Sequence, residues 1–467
     1  MDHISTRGAA PTLGFSDALL AGLARDGGLY APLAVPQWSA DAIRALRGLP
    51  YPEAAVRIMA PFVGEDFSPT ELEALTAAAY SAFDHAATAP LAQIDNNLFA
   101  LELFHGPTLA FKDFAMQWLG QAMNRVLRRR GGRSTIVGAT SGDTGAAAIE
   151  AFAEQSQVEV FILYPLGRVS DVQRRQMTTV DRPNVHALAI QGSFDDCQRI
   201  VKELFGDLAF REEARLSGVN SINWARILAQ IVYYFVGAIA LGAPERPISF
   251  AVPTGNFGDV LAGYYAKRMG LPVERLIIAT NENDILARAL ATGLYAPKAV
   301  KATQSPSMDI QLSSNFERLL FEASGRDPQA VVARMSELAQ EGSFAIPTEA
   351  LARIRADFDA FRVDEAACAE EMGRVYRSSG MIVDPHSAIG VHAARKTLGA
   401  SPATPVIALA TAHPAKFPDA VERATGVKPA LPDRLKDLME RKEAIVVLPN
   451  DHRAVADYLR QTARAAA

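Results

Sequence analysis

The run HGPTLAFKDF at 105–114 sets one amine, Lys112, between Phe111 and Phe114 at the opening turn of an expected helix. A lysine there can serve as a nucleophile. At neutral pH an ordinary lysine of pKa ~10.4 must first give up a proton, at a cost of about 4.6 kcal/mol. The positive end of a helix dipole supplies roughly 0.3–1 kcal/mol of that. Burial among apolar rings, a neighbouring cation or covalent capture must supply the rest. The plain alternative is a lysine that snorkels from a surface helix.

Two strand-to-helix turns carry the complementary chemistry, TIVGATSGDTGAAAIEAF at 135–152 and SFAVPTGNFGDVLAGYYA at 249–266. In each, glycines allow close approach of a ligand, and the free N–H groups of the helix's first turn point at whatever anion sits there. Thr140, Ser141 and Thr144 add hydroxyl donors to the first loop; Thr254 and Asn256 add side chains to the second. One such turn is common in α/β proteins and proves little. Neither loop fits the dinucleotide or the nucleoside-triphosphate glycine fingerprint. An amine with two anion cradles is what a phosphorylated aldehyde cofactor and an amino-acid carboxylate need, which points to pyridoxal phosphate.

The elements that must position these groups alternate in type. From Phe114 the apolar positions Trp118, Ala122 and Val126, with Ala115, Leu119, Met123 and Leu127 beside them, make a helix stripe that Arg128, Arg129 and Arg130 close at its negative end. Residues 1–90 read as a helical N-terminal unit. Short apolar runs alternating with helices then predict one α/β lobe over 91–245, carrying the lysine and the first loop, and a second over 246–467, carrying the other loop and a helical insert at about 326–380. The expected fold class is α/β, two lobes of mostly parallel sheet flanked by helices. The last 35 residues read as a strand or two plus a helix with an alanine-rich, frayed end.

The chain of 467 residues, 49% hydrophobic, is long enough for two or three domain cores. A net charge of -5 gives no basic field for nucleic acid, so a small-molecule partner is expected. Cys197 and Cys368 stand far apart without a Cys/His cluster, which argues against a disulfide framework and a zinc site and fits a reducing, cytoplasmic setting. The N-terminus lacks the pattern of a signal or transit peptide. The longest apolar run, AQIVYYFVGAIALGA at 229–243, is short for a bilayer span and reads as a buried core helix.

HGPTLAFKDF, TSGDTGAA, NSINWARILAQ, PTGNFGD, SMDIQLSSNFERLL and TAHPAKF, in that order and over almost the whole chain, resemble the threonine synthase family of the fold-type II pyridoxal-phosphate enzymes. The resemblance implies that Lys112 forms the Schiff base with the cofactor. Thr254, Gly255, Asn256, Phe257 and Gly258 would cup its phosphate, and Thr411 would stand at its pyridine nitrogen. Ser141, Asp143 and Thr144 belong to the family's substrate loop, which receives the amino-acid carboxylate. Many relatives of the fold carry asparagine in place of Asp143, and a carboxylate beside an anion must be turned away or offset. Asn220, Ser221 and Arg226 of NSINWAR would hold the substrate's own phosphate, for which the arginine fork is suited. His386 and His413 are acid/base candidates, although histidines beside proline at element ends more often pack or cap.

The implied reaction converts O-phosphohomoserine and water to L-threonine and phosphate, in a monomer or homodimer with no nucleic acid, membrane or metal partner. A phospho-lyase of the same fold that stops at 2-oxobutyrate, and a non-catalytic binding protein on the same scaffold, are the rival readings. A serine or threonine dehydratase would have no phosphate for Arg226 to bind.

Overall fold

The computed structural model describes residues 1–218 and 220–463. Two sheets organise them. The larger has six strands in the order Phe358–Arg362, Val273–Thr280, Ile248–Pro253, Val406–Ala410, Leu98–Glu102 and Leu91–Asp95, parallel throughout except for the last, which pairs antiparallel at the edge. The smaller has five parallel strands in the order Val446–Leu448, Val185–Ile190, Val158–Pro165, Ser134–Ala139 and Leu216–Ser217. ISFAVP and VIALA are buried at every position, because helices cover both faces of a parallel sheet and leave no strand face for polar residues.

Each sheet has a point at which its strand order reverses. After Ile248–Pro253 the chain builds outward to Val273–Thr280 and Phe358–Arg362, then returns on the opposite side at Val406–Ala410. After Ser134–Ala139 it builds outward through Val158–Pro165 and Val185–Ile190, and Leu216–Ser217 falls on the opposite side. Loops leaving the carboxyl ends of strands at such a point diverge and open a crevice, the usual ligand position in open α/β sheets. Thr254 and Thr411 leave one switch point; Thr140 to Asp143 and the stretch before Trp224 leave the other.

Between the sheets lies the main core. Helix Lys112–Arg130 packs there against Pro69–Tyr80, Asp143–Phe152 and Trp224–Ala240, so its first half is buried nearly all round and not along a single stripe. Arg128, Arg129 and Arg130 fill its last turn, and Gly131, left-handed at φ 61°, ends it. Helix Trp224–Ala240 is the buried core helix expected of the apolar run. No helix among the described residues is long and apolar enough to cross a membrane. Helices Glu365–Ser379 and Pro385–Ala400 cover the outer face of the six-stranded sheet. Phe194–Gly206 and His452–Thr462 cover that of the five-stranded one.

Strand membership departs from a contiguous division of the chain. Leu91–Asp95 and Leu98–Glu102, expected with the first lobe, complete the six-stranded sheet by pairing onto Val406–Ala410. Val446–Leu448 joins the five-stranded sheet beside Val185–Ile190. Local alternation of apolar runs cannot show this, since a buried strand reads alike in either sheet. The N-terminal helices come with a small ribbon, His3–Ser5 against Tyr30–Pro32. The insert contributes an edge strand, Phe358–Arg362, between its helices. The expected alanine-rich end, residues 464–467, lies outside the described residues.

Candidate active site

Lys112 is the first residue of its helix and is buried, with Nζ 5.3 Å from the centre of the Phe111 ring. The turn before it is fastened to the six-stranded sheet: the Phe111 N–H donates to the Thr411 carbonyl at 2.8 Å. The Asp113 carboxylate accepts the Thr108 N–H at 2.8 Å and its hydroxyl at 2.6 Å, fixing the loop that precedes the helix. Lys112 Nζ then stands 3.3 Å from Asp143 Oδ2 and 3.2 Å from Ser307 Oγ. Burial lowers its pKa, against the pull of the Asp143 charge and with help from the Lys416 and Arg226 charges. The direction is the one a nucleophilic amine requires.

The loop Thr254–Gly258 has the backbone of a candidate anion cradle. The N–H groups of Gly255, Asn256, Phe257 and Gly258 have no protein acceptor among the described residues, as befits the opening of helix Gly258–Arg268. Phe257 takes a left-handed conformation, φ 65°, to turn the chain into that helix. A Cβ at Gly255 would stand 2.9 Å from the Ser307 carbonyl oxygen, so this loop and the segment bearing Ser307 touch through a glycine. The Thr254 hydroxyl, expected to face the anion, donates to the Val252 carbonyl at 2.6 Å, a local bond that threonine makes readily.

The second cradle follows Ser134–Ala139. Gly142 adopts φ 140°, and a Cβ there would lie 2.4 Å from the Gln173 side chain. Thr140 Oγ1 accepts the N–H groups of Gly142 at 3.0 Å and Gly145 at 2.9 Å, so it shapes the loop. The N–H groups of Ser141, Asp143 and Thr144 have no protein acceptor among the described residues. Asp143 is not turned outward. Its Oδ1 accepts from Gln173 Nε2 at 2.9 Å and faces Lys416 Nζ at 2.8 Å; its Oδ2 accepts from Ser307 Oγ at 3.1 Å and faces Lys112. Burial alone would raise its pKa, but the Lys416 and Lys112 charges hold it well below the usual carboxylate range.

Arg226 sits in the first turn of helix Trp224–Ala240, behind the N-cap Asn223, and is buried. Burial pushes its guanidinium down to about 10, and its charge acts on Lys112. Asn220 and Ser221 lie in the turn just before, Asn220 with its side chain exposed. That turn shares a wall with the first cradle: Asn315 Nδ2 donates at 3.1 Å to both the Ser221 and the Asn256 carbonyls. Arg318, itself fully buried, bonds Asn315 Oδ1 and, at 2.6 Å, the Ile222 carbonyl.

Thr411 follows its strand, held at two fixed points, its N–H on Ser387 Oγ at 3.0 Å and its carbonyl on the Phe111 N–H. His413 is a cap, with Nδ1 accepting the Ala415 N–H at 3.2 Å, and burial lowers its pKa to about 4. His386 is held by Asp384 and the backbone of Ser307. The residues that sequence reasoning did not single out are Ser307, Gln173, Asn315 and Lys416. Ser307 and Asn315 belong to SMDIQLSSNFERLL and Lys416 to TAHPAKF, and membership of those runs was their only signal. The geometry as a whole presents a buried amine between two sets of free N–H groups, with a buried guanidinium close by.

Comparison with known proteins covers the whole chain. The family models described as Threonine synthase N terminus, Pyridoxal-phosphate dependent enzyme and Threonine synthase, C-terminal match residues 2–80, 84–353 and 387–459. The threonine synthase of Pseudomonas aeruginosa is 51% identical over 462 residues, which span 99% of this chain and 98% of that protein. The crystal structure of pyridoxal-phosphate-bound threonine synthase from Brucella melitensis is similar with a TM-score of 0.97 and 58% identity, covering 99% of this chain and 100% of that one. Yeast threonine synthase follows at 0.94 and 41%, covering 99% and 98%.

Proposed function

The chain belongs to the threonine synthase family of pyridoxal-phosphate dependent enzymes, and on that premise we propose that it converts O-phosphohomoserine and water to L-threonine and phosphate, with Lys112 holding the cofactor's aldehyde carbon. The observation that carries this reading is the buried Lys112 amine set between two cradles of unengaged N–H groups and acted on by the Arg226 charge.

The residues present fit the cofactor. The open N–H groups of Gly255 to Gly258 suit a phosphate at a helix N-terminus, and the contact at Gly255 leaves no room there for a side chain. Thr411 would offer a neutral hydroxyl to the ring nitrogen. When bound, pyridoxal phosphate supplies an electron sink for charge developing beside the substrate amine.

The chain's own groups do the rest. The N–H groups of Ser141, Asp143 and Thr144 bind the substrate carboxylate, and Arg226, with Asn220 and Ser221, binds the substrate phosphate. That phosphate offsets the desolvation of a buried guanidinium, so the binding is favourable on both sides. Lys112 Nζ accepts the α-proton, gives it up, and only then accepts a proton from the β-carbon; the γ-carbon gains a proton as it becomes the methyl group, and the α-carbon regains its own at the end, tasks that suit an amine whose pKa burial has lowered. Phosphate departs from the γ-carbon toward Arg226, and water adds at the β-carbon. Closure of the lobes keeps water away until that last step. We read the protein as a cytoplasmic monomer or homodimer; both cysteines are free and buried, in keeping with a reducing compartment.

The test is one assay of the purified protein with O-phosphohomoserine, following phosphate, threonine and 2-oxobutyrate together. Threonine and phosphate in equal amounts are expected. Phosphate with 2-oxobutyrate would make it a phospho-lyase, and no phosphate release would overturn the role given to Arg226.

A further inference from the structure

Asp143 poses an electrostatic problem. A carboxylate 3.3 Å from Lys112 Nζ favours the ammonium form of that lysine, whereas the proposed work of Lys112 as nucleophile and base requires the uncharged form. Each time Lys112 lost its charge, Asp143 would be left as an unpaired buried anion unless another cation remained. The two carboxylate oxygens divide the surroundings. Oδ2 faces Lys112 and Ser307, the side where chemistry would occur; Oδ1 faces Lys416 and Gln173.

Lys416 has no exposed surface. Its Nζ stands 2.8 Å from Asp143 Oδ1 and donates to the Thr108 carbonyl at 2.7 Å. Its backbone closes the one-turn helix Pro414–Lys416, and Ser170 Oγ donates to its carbonyl at 3.3 Å. Ser170 also caps the helix that carries Gln173, so both partners of Oδ1 share one mount. The other charged or titratable groups facing this cluster are Lys112 and Asp113 on the lysine helix, His386 with its partner Asp384, and Arg226. Asp113 lies close to Lys416 but is engaged by Thr108 through both oxygens.

We propose that Lys416 is a positioning residue, the permanent counter-charge of Asp143, which lets a carboxylate stand beside Lys112 without holding that lysine protonated. The pair Lys416 and Asp143 is neutral together, so the charge of Lys112 can change while its neighbours' charges stay balanced. This rests on the reading of Lys112 as the cofactor lysine.

The test is a pH titration of the visible absorption of the cofactor-loaded protein, a readout independent of turnover. Lys416→Met leaves the Asp143 anion uncompensated and should raise the pH midpoint by about one unit or more, the usual effect of an opposite charge at this range. Asp143→Asn leaves Lys416 uncompensated and should lower it. The double variant Asp143→Asn/Lys416→Met removes both charges and should return the midpoint to within a few tenths of a unit of wild type, with thermal stability recovering in parallel. If Lys416→Met alone loses the band, its return in the double variant supports the pair. Loss in both, shifts of the two single variants in the same direction, or an unmoved midpoint in Lys416→Met overturns it. A wild-type protein with no cofactor band would instead overturn the reading of Lys112, and this inference with it.

Discussion

His386 Nε2 accepts the backbone N–H of Ser307 at 3.2 Å, while Nδ1 of the same ring lies 2.7 Å from Asp384 Oδ2. The two contacts assign the ring proton to Nδ1, since Nε2 must accept. His386 is thereby a strut between helix Pro385–Ala400 and the segment that presents the Ser307 hydroxyl to Lys112 and Asp143.

A strut and a proton donor respond differently to replacement. His386→Gln should lower kcat about tenfold through misplacement of Ser307 and leave the shape of the pH profile as in wild type. Steady-state kinetics across pH check this; loss of one limb of the profile would show that His386 titrates in the reaction.

On the roles proposed for them, Lys112 and Arg226 separate cofactor binding from substrate binding. Lys112→Ala should abolish both the visible band and turnover. Arg226→Ala should keep the band and raise KM by roughly 10- to 150-fold, the equivalent of the ~1.5–3 kcal/mol of a charge-assisted hydrogen bond. Spectra and initial rates of the two variants are the measurement, and an unchanged spectrum in Lys112→Ala would contradict the central assignment.

Gly142→Ala probes the loop proposed to receive the substrate carboxylate. The backbone at φ 140° and the Gln173 side chain 2.4 Å from the new methyl both resist it. Strain of ~1–3 kcal/mol predicts a 5- to 150-fold loss in kcat/KM, with the cofactor band retained because the proposed phosphate cup is a different loop. Adding Gln173→Ala removes the clash but not the dihedral strain, so recovery should be partial.

Two further buried groups give opposite pH signatures. Burial pushes His3 down to about 4, so the folded state keeps it neutral while the unfolded chain protonates below ~6.5. Its stabilising contribution is complete above pH ~6.5 and is lost as pH falls toward 4, about 3 kcal/mol in all. Asp259 is the reverse: burial raises it to about 7, against the hydrogen bonds of Tyr233 and Tyr234. The folded state then holds a proton that the unfolded chain releases, and stability is lost as pH rises from ~4 to ~7. Relative to wild type, His3→Phe should gain thermal stability as pH is lowered and Asp259→Asn as pH is raised. Melting curves between pH 4 and 8 will separate them.

What the sequence made legible was local. Lys112 at a helix start and the two glycine loops are read within one strand, turn and helix, and all stand where that grammar puts them. The direction of the hydroxyls was not legible: Thr140 and Thr254 turn inward because a neighbouring backbone group offers a nearer partner. Nor was the company of Lys112, since Ser307 is 195 residues away along the chain and reaches it only once both sheets are built. Asp143, awkward as a lone carboxylate, becomes intelligible once Lys416 is seen on its other oxygen.

The strand Val406–Ala410 lies in the interior of the six-stranded sheet, between Ile248–Pro253 and Leu98–Glu102. During synthesis the hairpin of Leu91–Asp95 and Leu98–Glu102 therefore leaves the ribosome long before the strand it must dock against. At ~5–20 residues per second, about 300 residues of further translation take roughly 15–60 s. Through that interval the Leu98–Glu102 edge of the hairpin, which Val406–Ala410 will cover, and an apolar face are open to other nascent chains. The same order of strands that opens the cofactor crevice thus makes this protein a candidate for chaperone dependence and for loss to aggregation when translation is slowed or cut short.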